Sequence, residues 1–277
     1  TIIKSFSTVK IPNKKVLKLY NNQPEFKISF NKYYSRNINN KRIQNGKKLL
    51  SEHKKILNEV YKVYSIPQEI IIAIWGIETN YGKYIGNFNT IEALTTLAYA
   101  SKRKGFFKKE LFNSLLIIEK GYIKNDKTLI GSWAGAMGQS QFMPSSYINY
   151  AVDFNKDSKI DLWNTYQDIF ASIANYLKMH GWNKNRKWSM EIFINKNFKN
   201  KVSSNSNYTI SDLAKFVKNK ETLGEFDVNK KVKLKIVNKD NTERYFIIFE
   251  NFDIIKKYNN SDFYALVIGD LANQIRN

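Results

Sequence analysis

The chain has 277 residues, 43% hydrophobic and 14% aromatic, enough apolar material for one large domain or two to three smaller lobes. Its 45 Lys plus Arg outnumber 24 Asp plus Glu, a formal charge of +21 that draws anionic partners without dictating a fold, although Lys, Asn and Ile richness is also what an AT-rich coding sequence produces. The absence of cysteine excludes disulfides, thiolate chemistry and Cys-based zinc sites, and with no run of about 18 apolar residues no membrane span is predicted.

Residues 1–30 alternate briefly between apolar and polar and read as an irregular arm. The first residues lack the basic-then-apolar layout of a signal peptide, and a chain opening on Thr1 is consistent with a leader already removed. Residues 31–64 are basic and carry Leu49, Leu50, Ile56, Leu57, Val60 and Val63 at helical spacing. Pro67 then stands where a helix begins, because its missing N–H is not needed there. The run Gln68 to Glu78 is apolar on nearly every face, which predicts a buried helix; its β-branched content makes a strand the competing reading. Further helices fit 89–101, 106–120, 144–151 and 165–180, the last capped by Asn164 or Thr165 and stopped by Gly181. Residues 131–143 form a small-residue loop. After Trp188 the texture changes: a strand-like piece at Glu191–Ile194, a short helix at Ser211–Lys218, and β-rich runs Val232–Val237 and Tyr245–Glu250, joined by a hairpin turn over 238–241. A helix over 263–275 returns to the main lobe. The class is therefore α+β and mainly α-helical. The expected divisions are an N-terminal arm and helical region (1–50), a core (51–188), a small α/β insertion (189–250) and a C-terminal segment returning to the core (251–277).

Glu78 closes the apolar run. Burial among apolar side chains disfavours a carboxylate, and so does the negative end of a helix dipole. Both effects are what a proton donor to a glycosidic oxygen requires at neutral pH. On pattern alone, however, a solvated helix-end residue is the plainer reading of Glu78.

Around Glu78 the chain resembles the membrane-bound lytic murein transglycosylase B family. The matching segments are Ile66–Gly82 (IPQEIIIAIWGIETNYG), Gly131–Tyr147 (GSWAGAMGQSQFMPSSY), Tyr150–Phe154, Ala174–Leu177 and His180–Trp182. The likeness is dense over about 50–185 and loose over 245–275. It implies a lysozyme-like core and cleavage between N-acetylmuramic acid and N-acetylglucosamine without water. The family's catalytic glutamate falls on Glu78, which protonates the bridging oxygen and then acts as base for the muramic acid's own 6-hydroxyl, leaving a 1,6-anhydro ring. Ser132 and Gln141 match groove residues, and the family's Tyr-Asn pair maps onto Tyr258 and Asn259, with a further tyrosine at Tyr264. Arg103, beside Lys102, is a candidate for stem-peptide carboxylates, with a solvated charge run equally consistent. Glu92 and Glu110 are expected to be solvated, so no second carboxylate is expected at the groove. Tyr81, Tyr84, Phe106, Phe107, Trp133 and Phe142 could stack on sugars, but core packing is the better reading of each.

Residues 153–164 have the twelve-position spacing of an EF-hand loop, with candidate calcium ligands at Asp153, Asn155, Asp157, Lys159 and Asn164. Ser158 replaces the usual glycine at position six, and Asn164 replaces the bidentate glutamate at position twelve. Relatives with the full loop bind calcium; weak binding or none is expected here, with no cofactor required. The expected partner is the glycan strand of peptidoglycan, met by a monomer in the bacterial periplasm, with outer-membrane association left open. The rival readings are a muramidase that admits water and an idle protein that binds cell wall or polyanions. Nucleic acid is not an expected partner, because the basic residues are not interleaved with aromatics in one stripe.

Overall fold

The computed structural model describes residues 6, 9, 12–22, 28–123, 129–237 and 243–276. The N-terminal stretch, read above as irregular, contains helix α1 (Lys14–Asn21), started by Asn13, whose side chain accepts from the backbone N–H of Lys15 and Val16. The cap satisfies two N–H groups at the start of a helix that is only eight residues long and buries Val16 alone. The basic region expected as one helical stretch is three helices: α2 (Phe30–Asn37), α3 (Asn40–Glu52) and α4 (Lys54–Tyr64). Ile38 and Asn39 are extended, and the Asn39 side chain restarts the helix by accepting from the Arg42 N–H at 3.0 Å. Helix α3 also runs through the domain boundary set at residue 50.

Helix α5 (Gln68–Thr79) lies at the centre, with Ile70, Ile71, Ile72, Ala73, Ile74 and Trp75 all buried. Each fully buried Ile contributes about 1.5–3 kcal/mol, which explains why β-branched residues tolerate a helix here. The helices α6 (Thr90–Ala100), α7 (Lys104–Glu119), α8 (Pro144–Tyr150) and α9 (Tyr166–Met179) lie within a residue or two of the expected bounds; α9 packs on α5, and α6, α7 and α8 pack in succession, with α8 against α9. Helix α9 has Thr165 at its N-cap without a side-chain bond, and it ends where Gly181 adopts φ +96°. The short strands β1 (Phe88–Asn89) and β2 (Ile130–Gly131) pair antiparallel at the edge of this lobe.

The insertion is a four-stranded antiparallel sheet of β3 (Ser189–Ile192), β4 (Asn207–Thr209), β5 (Lys231–Val237) and β6 (Arg244–Ile248), in the order β3-β6-β5-β4. The expected helix after β4 is only α10 (Ile210–Ala214), and the turn expected over 238–241 lies outside the described residues. The sheet is two-sided. Val232, Leu234 and Ile247 face a small core of the module's own, whereas Val237, Phe246 and Ile248 join the main core. Helix α11 (Glu250–Tyr258) was also not foreseen: it begins where a strand was expected to end, and it leads into α12 (Asp262–Arg276), which packs along α5. No helix among the described residues is long and apolar enough to cross a membrane.

Glu92 and Glu110, expected in solvent, are not there. Glu110 is 2% exposed, and its two carboxylate oxygens accept from the N–H and hydroxyl of Ser145 at 2.8 Å each, which ties α7 to the start of α8. Half-buried Glu92 accepts from the Asn13 amide at 3.0 Å and so docks α1. Replacing Glu110 by Leu strands two donors of Ser145, so urea denaturation should show a loss of about 1–3 kcal/mol. An unchanged midpoint would mean that the Ser145 groups find water instead.

Candidate active site

Three consecutive residues with positive φ end α5: Asn80 (49°), Tyr81 (60°) and Gly82 (79°). The turn swings Tyr81 back against its own helix, where its hydroxyl donates to the Arg42 carbonyl at 2.8 Å. Gly76 and Gly46 make that possible, since a Cβ on either would come within 2.6–2.7 Å of atoms of Tyr81. Glu78 is thereby left half-buried at the helix's C-terminal end.

Helix α12 brings Tyr264 to it. The Tyr264 hydroxyl donates to Glu78 Oε1 at 2.6 Å. Tyr258, at the end of α11, donates to the Ser140 carbonyl at 2.6 Å and packs its ring on Tyr176, with centroids 4.9 Å apart. Burial, followed by the charge of Glu78, pushes both phenols well above their ordinary range. Neither ionises near neutral pH, so both act as hydrogen-bond donors.

The small-residue loop forms the adjoining wall. Ser132 closes a tight turn: its N–H donates to the Ala136 carbonyl and its Oγ accepts from the Ala136 N–H, at 2.8 and 3.0 Å. Gln141, at φ +50°, donates its amide nitrogen to the carbonyls of Gly138 (2.9 Å) and Ile85 (3.2 Å). With those N–H groups engaged, the amide's carbonyl oxygen is the end it can offer to a sugar hydroxyl. The loop is bound to α5 by Gln139, a residue the sequence did not single out. Its side chain accepts from Trp75 Nε1 at 2.8 Å and donates to the Trp163 carbonyl at 2.6 Å, while its backbone carbonyl accepts from the Thr79 hydroxyl at 3.1 Å. The available signal was Trp75 itself, whose indole N–H inside an apolar helix requires an acceptor.

Arg103 is exposed at the start of α7 and sits 4.2 Å over the Phe106 ring. Asn259 is exposed in the turn between α11 and α12, beside Tyr258 in the chain. Tyr81, Phe107 and Phe142 are core residues, whereas Tyr84 is 72% exposed. A cavity of about 670 Å³ lined by Glu69, Trp188 and Arg276 lies at the other end of α5.

The loop 153–164 is closed by its own hydrogen bonds. Asp153 accepts from the N–H of Asp157 and Ser158 (3.1 and 2.8 Å), Asp157 accepts from the Lys159 N–H (2.9 Å), and the Asn164 amide donates to Asp161 (3.1 Å). Buried Asp168 from α9 accepts from the N–H of Phe154 and Asp161 at 2.8 and 2.9 Å. Among the described residues no group of acidic or His side chains is gathered for a metal. Position twelve carries the Asn164 amide, which donates to Asp161, in place of the bidentate carboxylate that such loops use.

Comparison with known proteins places this helical lobe in the lysozyme-like class: transglycosylases share its fold over 99% of the chain. The model of the transglycosylase SLT domain matches residues 1–273, and the chain belongs to this family of lytic transglycosylases. It is 33% identical over 253 residues to membrane-bound lytic murein transglycosylase B of Escherichia coli K12, covering 88% of this chain and 66% of that protein, slightly under two thirds of its length. Pseudomonas aeruginosa SltB3 in complex with NAG-anhNAM-pentapeptide superposes with a TM-score of 0.88 at 34% identity, over 99% of this chain and 73% of the other. The Escherichia coli lytic transglycosylase Slt35 in complex with calcium superposes with a TM-score of 0.83 at 31% identity, over 99% and 86%.

Two measurements follow from these contacts. Gln139→Leu leaves the Trp75 N–H and the Trp163 carbonyl without partners and should cost about 2–4 kcal/mol in urea denaturation; a loss near zero would show the stitch to be dispensable. Calcium titration should leave the thermal midpoint within about 1 °C, whereas a rise that grows with calcium concentration would reveal a site.

Proposed function

We propose that the chain cleaves the β-1,4 bond between N-acetylmuramic acid and N-acetylglucosamine in peptidoglycan, as a monomer in the bacterial periplasm, with Glu78 as the only catalytic carboxylate. The observation that carries this reading is the Tyr264 hydrogen bond to Glu78 at the end of a buried helix. The carboxyl is half-buried at the C-terminal end of that helix, and burial and the negative end of a helix dipole both work against a carboxylate.

In the first half of the reaction Glu78 gives its proton to the glycosidic oxygen as the bond to the muramic acid C1 breaks, and N-acetylglucosamine leaves with a free 4-hydroxyl. In the second half the Glu78 carboxylate takes the proton of the 6-hydroxyl as O6 bonds to C1, closing the 1,6-anhydro ring and restoring the acid. Atoms balance without water. A glycosidase of the usual kind needs a second carboxylate about 5–9.5 Å from the first. The acids of α6 and α7 do not supply it, since Glu110 is bound by Ser145 and Glu92 by Asn13. An internal hydroxyl needs no such partner, because its effective concentration is already high. The anhydro sugar in the SltB3 complex is the product type this route would give. Ser132, Gln141, Tyr258 and Asn259 then orient the glycan, and Tyr264 holds Glu78.

Glu78→Gln should reduce digestion of purified sacculi by at least about 100-fold with the thermal midpoint retained. Mass spectrometry of the wild-type products should show anhydro ends. Reducing ends would make the protein a muramidase, and near-normal turnover by the Gln variant would remove Glu78 from the mechanism.

A further inference from the structure

The residues described above around Glu78 belong to the helical lobe, and one lysine of the sheet module reaches the turn that carries both tyrosines. On β5, Lys231, Lys233, Lys235 and Val237 share one face by alternation, and Val237 lies in the main core. Lys235 pairs across the ladder with Phe246, which also lies in the main core. Lys235 is therefore a lysine on the core-facing side of an interior strand, with its side chain only 19% exposed. A cation in that position requires an anion. It finds Asp262, the first residue of α12, and also donates to Asn205 Oδ1 at 3.0 Å.

Asp262 holds a second cation, Lys256 of α11, at 2.7 Å. Burial works against its carboxylate, but the hydrogen bonds and charges of the two lysines outweigh burial and hold the carboxyl below its ordinary range. Its position in the chain gives the pairing its meaning. Asp262 stands four residues after Tyr258 and two before Tyr264, and the connection between α11 and α12 is short. Lys256 joins only the two ends of that connection, whereas Lys235 fixes it to a separate, rigid element.

We infer that Lys235 is a positioning residue: by pairing with Asp262 it anchors the Tyr258–Tyr264 turn to the sheet module and so sets where Tyr264 meets Glu78. The inference rests on the role proposed above for Glu78. It gives the module a part in a reaction whose atoms it does not touch.

Lys235→Met is the direct test, because the methionine suits the apolar face and Lys256 still partners Asp262. In the full chain, on soluble glycan strands, kcat should fall about tenfold with KM within twofold, and Lys235→Arg should recover most of it. Asp262→Asn, close in shape, should show the same division between kcat and KM. An unchanged kcat in Lys235→Met, or a change confined to KM, overturns the inference. Failure of both Lys235→Met and Asp262→Asn to fold overturns it as well, since the pair would then be holding the fold and not the turn. Glu78→Gln in the same assay separates the two readings: if it is inactive while Lys235→Met is normal, only the anchor is refuted, and if it is active, the proposed mechanism itself fails.

Discussion

A buried indole N–H must find an acceptor, and in this protein that requirement joins the two halves of the site. Trp75 lies on a helix that offers no solvated face, so its Nε1 has only protein to bond to. Gln139 meets it and uses the other end of the same amide on the Trp163 carbonyl, while its own carbonyl takes the Thr79 hydroxyl. Because Thr79 follows Glu78 directly, the bond that satisfies the core also fixes the height of the small-residue loop against the carboxylate. The neighbouring Ser140 carbonyl then receives Tyr258, and the far wall is joined by the same stretch of backbone.

The phenols of Tyr258 and Tyr264 stay neutral beside Glu78. Burial and the nearby carboxylate both oppose their ionisation. A phenol orients the carboxyl without removing its capacity to exchange a proton, which suits the acid-then-base role proposed for Glu78. Lys235 and Lys256 both turn to Asp262.

Much of this was legible in the sequence, for identifiable reasons. The helix over Gln68–Thr79 announces itself by Pro67 and an unbroken apolar run, and the β-strands of the insertion by their alternation. The positions of Glu78 and Tyr264 came through family likeness, since residues so far apart in the chain carry no local sign that they touch. Helices α1 and α11 were missed because each is short and buries only a few apolar side chains, Val16 in the first and Phe252 and Ile255 in the second, among many polar ones. Glu110 was misjudged for another reason: a buried carboxylate looks like a solvated one until its donors, here both on Ser145, are known. Gln139 was within reach, because a tryptophan in the middle of an apolar helix asks for a polar residue somewhere opposite.

The loop over 153–164 holds its turn through its own hydrogen bonds. An EF-hand loop is drawn together by a cation whose ligands are oxygens pointing inward. Here the inward pull comes from carboxylates that accept backbone N–H groups, with Lys156 and Ser158 in the left-handed conformation that such turns require. Asp168, from the first turn of α9, receives the N–H of Phe154 and of Asp161 and so ties the two ends of the loop together, work for which a cation would otherwise be needed. Burial lifts the Asp168 carboxyl above its ordinary range by more than its backbone donors lower it, and the Asp153 charge adds to the rise. That balance makes the closure depend on hydrogen bonds more than on net charge. It also explains how Asn164 can stand at position twelve: its amide serves Asp161 directly, and the loop keeps its path to α9 and the Trp163 carbonyl that Gln139 needs.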